Sequence, residues 1–527
     1  MRVLITDDLA PTCLQRLADA GLEADVQLKK SPEELKALAA GAAGWIIRSG
    51  TTITADLLAA AAGLKVIGRA GVGVDNVDLE AATRRGVLVV NAPDGNTVST
   101  AEHTCAMILA LARRIPQAHA ALAAGRWERK PFSGAELDGK TLGVVGVGKV
   151  GRAVAERMRA FGMEVIGFDP VLSVEAAERA GIEPVALDEI WRRSDVITFH
   201  SPLNDATRGL LNADTLARCK DGVRVVNCAR GGIVDEADLL DALQSGKVAG
   251  AALDVFSSEP PGDALAPLLR HPNVVVTPHI AASTDEAQEK VAVQITEEVV
   301  RALRGQPVLH PVNAAAIRMA AQPEVAPYLD LAVRLGRIAA QLVDGPVARV
   351  VVGCAGETAG RYAEVLSVGA LAGVLARWSE EPINLVNAPA LAHEMGLRVE
   401  EQRRADGGDF ANLIEVTLET AHGSRTVRGT VLGREDLRLV GLDGFPFEVR
   451  PEGHLLFYQN VDRPGVLATV GALLAEAGIN IAGLALGREA PGATALTVLT
   501  TDEPIPAAVV RRIAGVDEVH DVRVATV

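Results

Sequence analysis

Short apolar runs alternate with helical patterns through the first half of the chain. Over residues 1 to about 92 the apolar runs include RVLITD, GWIIR, LKVIGRAG and VLVVNAP. The same rhythm starts again with TLGVVG, MEVIGFD, DVITFH, GVRVVNC, AGAALDV and NVVVTP. Strands that alternate with helices favour parallel sheets with right-handed crossovers. We therefore predict two α/β domains in series.

Two capping patterns predict where the longer helices begin. The first, Ser99-x-x-Glu102, predicts a long helix that ends at Gly125, and the second, Ser283-x-x-Glu286, predicts a helix that runs to Gly305. In each pattern the serine hydroxyl and the glutamate carboxylate satisfy free backbone N–H groups of the first turn. A glycine is favoured just past the last turn.

The second half of the chain has a different pattern. Residues from about 310 to 450 are rich in Ala, Gly and Val, with mixed periodicity and no catalytic constellation. From His454 to Val527 the order is strand, helix, strand, strand, helix, strand. We predict a small α+β module for this last segment.

Composition and charge narrow the class of protein. The 527 residues are 49% hydrophobic but only 3% aromatic, which predicts three or more domains with aliphatic cores. No apolar stretch approaches the roughly 20 residues that span a bilayer, and MRVLITDD resembles a first strand, so we expect a soluble cytoplasmic protein.

Five scattered cysteines without CxxC spacing predict reduced thiols and no metal site. The net charge of -15 argues against nucleic acid and requires a local cationic pocket for any anionic substrate.

A glycine-rich turn predicts a dinucleotide site. Gly146, Gly148 and Gly151 follow the strand TLGVV and open the helical run RAVAERMRA. Glycines permit the tight turn and close backbone approach, and the helix N-terminus faces the pyrophosphate. Asp169 closes the next strand, where its carboxylate can bind the ribose hydroxyls and would repel a 2′-phosphate. NAD is therefore favoured over NADP.

Three polar residues follow apolar strands and predict chemistry at a hydroxy acid. Arg230, in NCARGGIVD, can orient a carboxylate, with Gly231 and Gly232 leaving room for the ligand. His279, in TPHIAAS, can exchange the hydroxyl proton, and Glu259 can accept the other imidazole N–H. His200, in ITFHSPL, is a rival base that we assign to the cofactor site.

Several blocks, in this order, resemble the D-isomer-specific 2-hydroxyacid dehydrogenases. They are RAGVGVDNVD, WERKPF, LGVVGVGKVG, NCARGGIVDE, AALDVFSSEPP and TPHIAAST, and they cover most of residues 40 to 305. LVNAPALA and FYQNVDRPGVLATVGALLAEAGINIAG resemble the intervening and ACT domains of the long-form branch of this family. The resemblance therefore spans nearly the whole chain.

This resemblance implies a fold and a domain organisation. Two Rossmann-like, doubly wound parallel-sheet domains would come first. The substrate-binding domain, which is flavodoxin-like, would comprise residues 1–92 and 283–306, and the NAD-binding domain residues 93–282. An α+β intervening regulatory domain at 310–450 and a ferredoxin-like ACT domain at 454–527 would follow.

The resemblance also implies site residues. Catalytic roles fall on Arg230, Glu259 and His279, in agreement with the choice made from the residues themselves. The expected cofactor contacts are Gly146, Gly148, Lys149, Val150, Gly151, Asp169, His200, Cys228, Ala229 and Asp254. The expected substrate contacts are Arg48, Arg69, Val72, Gly73 and Asn96, with Arg129 and Lys130 reaching a neighbouring subunit's site. The expected serine contacts in the ACT domain are Asn460, Asp462 and Asn480.

The implied reaction is NAD-dependent oxidation of 3-phospho-D-glycerate to 3-phosphohydroxypyruvate, the first step toward L-serine. The resemblance leaves two functions open for the ACT domain: it would bind serine as a feedback inhibitor, or it would only join subunits. A homo-oligomer is implied, expected to be a tetramer. Two alternatives stay open from the sequence: another D-2-hydroxyacid dehydrogenase of the glyoxylate or lactate type, and an NAD-sensing corepressor-like binding protein. The phosphate-directed arginines and the C-terminal module favour the phosphoglycerate branch over both.

Overall fold

A computed structural model describes residues 1–170, 174–306, 308–314, 317–320, 322–379, 382–488, 490 and 492–527. Within them the chain forms two parallel sheets, one mixed sheet and one antiparallel sheet. The predicted fold class is confirmed. No helix in the described part of the chain combines the length and apolar character that crossing a membrane requires.

The first parallel sheet has five strands in the order β2-β1-β3-β4-β5. The strands are β1 (Arg2–Ile5), β2 (Glu23–Val26), β3 (Gly44–Ile47), β4 (Val66–Arg69) and β5 (Leu88–Asn91), and the helices between them are α1 (Thr12–Asp19), α2 (Pro32–Ala39), α3 (Ala55–Ala60) and α4 (Leu79–Arg84). The apolar runs of β1, β3, β4 and β5 are buried because helices cover both faces of the sheet, whereas the edge strand β2 is partly exposed.

The second parallel sheet has seven strands in the order β12-β11-β10-β9-β6-β7-β8. Its elements are α5 (Thr97–Arg113), α6 (Ile115–Ala123), β6 (Thr141–Val145), α7 (Lys149–Ala160), β7 (Glu164–Phe168), α8 (Val174–Arg179), β8 (Glu183–Pro184), α9 (Leu187–Arg193), β9 (Val196–Phe199), α10 (Ala213–Arg218), β10 (Val223–Asn227), α11 (Glu236–Gln244), β11 (Val248–Leu253), α12 (Ala266–Leu269) and β12 (Val274–Val276). The order reverses beside β6, and this is where doubly wound sheets bind ligands.

Helix α13 (Asp285–Leu303) follows the second sheet in the chain but packs against the first. Its buried face, which includes Val291, Ile295 and Val299, joins the core formed by β1, β3, β4 and β5. Two connections, one before α5 and one before α13, therefore link the two parallel-sheet units.

Both predicted helix starts are displaced. The helix expected at Ser99 begins two residues earlier and is broken into α5 and α6 at Arg114, which has a left-handed φ of 53°. Pro116 lies in the first turn of α6, where its missing N–H costs nothing. The cap of α13 is Thr284 rather than Ser283, because the Thr284 hydroxyl accepts from the backbone N–H of Ala287.

The mixed sheet has six strands in the order β14-β13-β15-β16-β17-β18. Its elements are α14 (Ile317–Ala320), α15 (Ala326–Leu342), β13 (Val347–Gly356), α16 (Glu357–Arg361), α17 (Ala363–Leu375), α18 (Ala388–Glu394), β14 (Arg398–Arg404), β15 (Asn412–Thr420), β16 (Gly423–Leu432), β17 (Asp436–Leu442) and β18 (Phe445–Val449). A loop of this unit places Val386 in the core of the first sheet, and the Asn384 amide donates to the Gly86 carbonyl at 3.0 Å.

The last sheet is antiparallel, in the order β20-β21-β19-β22. Its elements are β19 (His454–Val461), α19 (Val466–Glu476), β20 (Ile481–Arg488), β21 (Thr494–Thr501), α20 (Ala507–Ala514) and β22 (Val519–Thr526), which is the predicted order. One face packs on α19 and α20, and the other continues the core of the mixed sheet.

Candidate active site

The candidate site lies where the carboxyl ends of the two parallel sheets face each other. His200, Cys228 and Asp254 come directly after β9, β10 and β11, while Arg48 follows β3 and Arg69 ends β4. An ion pair between Arg230 and Asp75 crosses between the units, and Lys149 pairs with Asp94 in the connection before α5. We call the space between these two sheet edges the cleft.

The glycine turn has the geometry of a dinucleotide site. Gly146 has a φ of 93°, and a Cβ there would lie 2.7 Å from the His200 carbonyl carbon. A Cβ on Gly151 would lie 2.1 Å from the Gly146 oxygen, so only glycine lets helix α7 approach the turn. In contrast, no atom lies within 4 Å of a Cβ on Gly148, the residue that caps α7. The open space at the helix N-terminus is where a pyrophosphate fits.

Asp169 lies beside this turn. It follows β7, and its Oδ2 accepts a hydrogen bond from the Val147 amide at 2.9 Å. The carboxylate is therefore fixed at the end of the strand where a ribose would lie.

Two more polar residues, His200 and Ser201, follow β9 directly. Burial lowers the pKa of His200 to about 4, so the ring is neutral at physiological pH. Its Nε2 lies 3.0 Å from the Thr198 hydroxyl. Next to it, the Ser201 hydroxyl is buried without a hydrogen-bond partner in the protein. A buried orphan hydroxyl is costly unless a ligand satisfies it. Ser201 was missed by sequence reasoning, since a lone serine carries no pattern.

His279 and Glu259 form a close pair. The His279 Nδ1 lies 2.6 Å from Glu259 Oε2, and the other carboxylate oxygen, Oε1, accepts from the Phe256 amide at 3.1 Å. His279 has a φ of 52°, a left-handed conformation that is uncommon for a residue other than glycine. Such strain persists only where surrounding contacts impose it.

Asp254 imposes that conformation. Its side chain is fully buried and accepts from the Thr277 hydroxyl at 2.5 Å and from the amides of Ile280 and Ala281, each at 2.9 Å. The Asp254 carbonyl also accepts from the His279 amide at 2.8 Å. Burial alone would raise the pKa of Asp254, but hydrogen bonds from His103, Thr277 and the two amides outweigh it and lower the pKa. The sequence assigned Asp254 to the cofactor and did not predict that it holds the histidine loop.

Arg230 is held in one orientation. Its Nε donates to Asp75 Oδ2 at 2.9 Å, and its Nη1 donates to the Ala229 carbonyl at 2.7 Å. Of the two glycines that follow, Gly231 does not leave room for a ligand as expected: a Cβ there would lie 1.8 Å from the Phe256 carbonyl oxygen, so this glycine serves close backbone packing. Gly232 has a φ of 79°, a conformation that favours glycine. The space beside the guanidinium is provided by Gly73, where a Cβ would lie 1.7 Å from Arg230 Nη2.

Arg48 and Arg69, at the strand ends of the first parallel sheet, form a cationic pocket on the side of the cleft opposite His279. Burial, followed by the neighbouring charges of Arg230 and Arg48, lowers the pKa of Arg69 to about 10, which still leaves it charged near neutral pH. The Arg69 Nε is buried without an acceptor, while Arg48 Nη1 donates to the side chain of Gln288. The Asn96 Oδ1, at the start of α5, is also buried and unpartnered. These groups suit a small, strongly anionic ligand that also carries a hydroxyl.

Val72 lies in the turn between Arg69 and Arg230. Its carbonyl accepts from the side-chain Nδ2 of Asn91 at 2.7 Å, which fixes the turn beside the pocket. Among the described residues, no group of three or more His, Cys, Asp or Glu side chains is arranged to hold a metal ion.

Comparison with known proteins identifies the family. The model of the D-isomer-specific 2-hydroxyacid dehydrogenase NAD-binding domain matches residues 105–281. The D-3-phosphoglycerate dehydrogenase intervening-domain model matches 324–443, and the ACT model matches 454–518. D-3-phosphoglycerate dehydrogenase from Bacillus subtilis is 40% identical over 524 residues, covering 99% of each chain. The human enzyme of that name is 45% identical over 490 residues, covering 91% of each chain.

The chain belongs to the D-3-phosphoglycerate dehydrogenase family. A solved D-lactate dehydrogenase from Aquifex aeolicus, complexed with NAD and lactic acid, is also similar in fold. It is 30% identical, covers 58% of this chain and 96% of its own, and has a TM-score of 0.53. The sequence-based assignment to the family is confirmed.

The family's ACT domain is present, but the three predicted effector residues are all engaged within this chain. Asn460 is buried; its Oδ1 accepts from the Thr497 hydroxyl and its Nδ2 donates to the Val461 carbonyl. Asp462 pairs with Arg488 at 2.6 Å, which lowers the pKa of the carboxyl. The Asn480 amide donates to Asp502 at 2.6 Å. Asn460 and Asp462 lie at the end of β19, and Asn480 lies directly before β20. Their effector role stays a prediction.

The WERK segment lies on the surface. Trp127 is 79% exposed, and its neighbours Arg129 and Lys130 are exposed as well. An indole this exposed is unusual on a folded monomer and is typical of a surface that another chain covers.

Proposed function

We propose that this chain oxidises 3-phospho-D-glycerate to 3-phosphohydroxypyruvate with NAD, the reaction that opens L-serine biosynthesis. One observation carries the proposal: the His279–Glu259 pair and the oriented Arg230 share a cleft with the buried arginine pocket. A substrate with a carboxylate, a hydroxyl and a phosphate supplies each of these groups with its partner. The fit to NAD rests on the open Gly148 position, the orphan Ser201 hydroxyl and the fixed Asp169.

In the proposed reaction, Arg230 binds the carboxylate and so orients C2 of the substrate. Arg48 and Arg69 bind the phosphate, with Asn96 as a further polar contact. NAD, when bound, accepts the hydride from C2. The Nδ1 of His279 is committed to Glu259, so its other nitrogen, Nε2, takes the hydroxyl proton as the carbonyl forms.

Glu259 has two functions in this scheme. It stabilises the imidazolium that forms when His279 takes the proton, and it fixes the tautomer that leaves Nε2 free to accept. Movement of the two sheet units toward each other would exclude water from the arginine pocket and strengthen its hold on phosphate.

The test is NADH formation at 340 nm with 3-phospho-D-glycerate and, in parallel, D-glycerate. Loss of two charge-assisted contacts predicts that kcat/KM for D-glycerate is lower by about a hundredfold or more. Equal efficiency with the two substrates would contradict the phosphate assignment. D-Lactate and glycolate in the same panel test the alternative hydroxyacid dehydrogenase activities.

We further propose that L-serine binds the ACT domain near Asn460, Asp462 and Asn480 and inhibits turnover. Asp462 can bind an ammonium group, and the asparagine side chains can bind a carboxylate or a hydroxyl. The helix α19 begins beside Gly465, where a Cβ would have no atom within 4 Å, so a small ligand can approach the backbone. Titration of L-serine against turnover tests this, with D-serine as control; a flat L-serine curve would contradict it.

We also propose that the protein forms a homotetramer. In this assembly Arg129 and Lys130 would reach the cleft of a neighbouring subunit. The exposed Trp127 supports a contact at this segment. Light scattering after gel filtration measures the mass directly. Monomeric wild-type protein, or a Trp127→Ser variant with unchanged mass, would contradict the contact.

A further inference from the structure

The guanidinium of Arg230 is fixed at two of its three nitrogens before any substrate is considered. The Nε donates to Asp75 at 2.9 Å and Nη1 to the Ala229 carbonyl at 2.7 Å. In the described part of the chain Nη2 makes no hydrogen bond, and it lies over Gly73. Nη2 is therefore the guanidinium nitrogen that still has no partner among the described residues. We infer that Asp75 is a positioning residue, which sets this orientation so that Arg230 can bind the substrate's carboxylate.

The position of Asp75 is itself well fixed. Its neighbour Asn76 donates from Nδ2 to the carbonyls of Arg48 and Thr51, at 2.6 and 2.5 Å. The Asn76 carbonyl accepts from the Ile53 amide at 2.8 Å. The segment that carries Asp75 is thus tied to the strand end that carries Arg48. These ties are made by Asn76, so replacing the Asp75 side chain leaves them in place and removes only the contact with Arg230.

The ion pair crosses the cleft. Asp75 follows β4 of the first sheet, whereas Arg230 follows β10 of the second, 155 positions away. The pair is partly exposed, with 27% of the Arg230 side chain and 61% of the Asp75 side chain accessible. A partly exposed pair contributes little to stability, and its value lies in geometry. The arginine is oriented correctly only when the two sheet units are close enough for Asp75 to reach it.

A carboxylate suits this position better than any neutral group. Burial is the main cause of the lowered pKa of Arg69, and the charges of Arg230 and Arg48 lower it further, whereas the Asp75 carboxylate raises it. Without it, Arg230 would lose the partner on Nε and gain freedom to turn about its terminal bonds. Substrate binding would then bear the entropy cost of ordering the side chain.

Kinetics of Asp75→Asn and Asp75→Ala test the inference, which rests on the proposed function. We expect KM for 3-phospho-D-glycerate to rise by about tenfold or more, the effect of weakening one charge-assisted hydrogen bond. KM for NAD should stay within twofold. Glycerol 3-phosphate, which has the phosphate but lacks the carboxylate, should keep its inhibition constant. An unchanged or lower substrate KM, or an equal change for glycerol 3-phosphate, would overturn the inference; a lower KM would mean that Asp75 competes with substrate.

The matched control is Asp78→Asn. Asp78 lies three positions further along, caps α4 through the Ala81 amide and has no contact with Arg230. It reports any general damage to the segment, and its substrate KM should not change. In an Arg230→Lys background, Asp75→Asn should add little, because an ammonium group has no planar edge to orient. Additive effects would overturn the inference.

Failure of the proposed function gives a separate result. If wild-type protein reduces no NAD with 3-phospho-D-glycerate, the proposed function itself fails. If wild type turns over and the Asp75 variants match it in substrate KM, only the positioning inference fails.

Discussion

The cleft and the ACT domain differ in how their polar groups are satisfied. In the cleft, Arg69 Nε, Asn96 Oδ1 and the Ser201 hydroxyl are buried without partners in the protein. In the ACT domain, Asn460, Asp462 and Asn480 each have a partner within the chain. The proposed substrate and cofactor contacts therefore include groups that a ligand can satisfy, whereas the three proposed serine contacts are already paired. Elsewhere in the described part of the ACT domain the Tyr458 hydroxyl and Glu518 Oε2 are also buried without partners.

This difference follows from what each region must do. Unsatisfied buried donors and acceptors destabilise the free protein, and a ligand that satisfies them binds more tightly for that reason. Regulatory residues that already have partners bind an effector only if those partners are exchanged. We therefore expect large effects from changes in the cleft and smaller, ligand-dependent effects from changes in the ACT domain.

The largest effect is expected for His279→Ala. Removal of the group that takes the hydroxyl proton should lower kcat by about 10²–10⁴-fold. NAD binding, measured by fluorescence titration, should be unchanged because His279 belongs to the pair with Glu259 and not to the glycine turn. A variant with wild-type kcat would remove His279 from the mechanism.

Arg69→Met should come next. The thioether fills the buried volume but offers no donor to phosphate, so kcat/KM for 3-phospho-D-glycerate should fall by about 10²-fold. D-Glycerate, which has no phosphate, serves as the internal control and should be little affected. If both substrates lost activity equally, Arg69 would have a structural function only.

Asp169→Ala should change cofactor choice. Loss of the carboxylate removes the repulsion of a 2′-phosphate and the hydrogen bonds to the ribose, so the preference for NAD over NADP should shrink by about tenfold. Steady-state KM values for both cofactors measure this ratio. An unchanged ratio would count against a ribose contact by Asp169.

Asn480→Ala tests the proposed serine site in the ACT domain. If serine binds where we propose, half-inhibition should require about tenfold more L-serine, since one or two hydrogen bonds are lost. Turnover at several L-serine concentrations provides the measurement. Overlapping inhibition curves for wild type and variant would place the effector elsewhere.

The smallest effect is expected for His200→Asn, in stability at acid pH. The folded pKa of His200 is about 4, below its ordinary value of 6.5, so the unfolded chain takes up a proton there that the folded chain refuses. The stabilisation that the neutral His200 ring contributes to the folded protein is therefore complete above pH 6.5. The free energy of unfolding of wild type should decrease as the pH falls from 6.5 toward 4. The free energy of unfolding of the variant should decrease less over this pH range. Urea unfolding at a series of pH values measures the difference. Parallel losses would contradict a neutral, buried His200.

Patterns in the sequence predicted the sheet types, the glycine turn and the strand ends that carry Arg230, Glu259 and His279. They did not predict the break at Arg114 or the cap at Thr284, because capping depends on which hydroxyl reaches the first free amides. Ser201 and the loop-holding function of Asp254 were missed as well. Neither has a spacing rule, and each is recognisable only from its burial and its neighbours.

By itself, the sequence determined the local elements and the residue types available at each strand end, because alternation and turn chemistry are properties of adjacent residues. Only the tertiary structure decided how these ends meet. Asp75 and Arg230 lie 155 positions apart, and helix α13 packs on a sheet whose strands all precede the second domain. Such contacts depend on the packing of complete domains, and the orientation of Arg230 therefore belongs to the fold and not to the motif in which it lies.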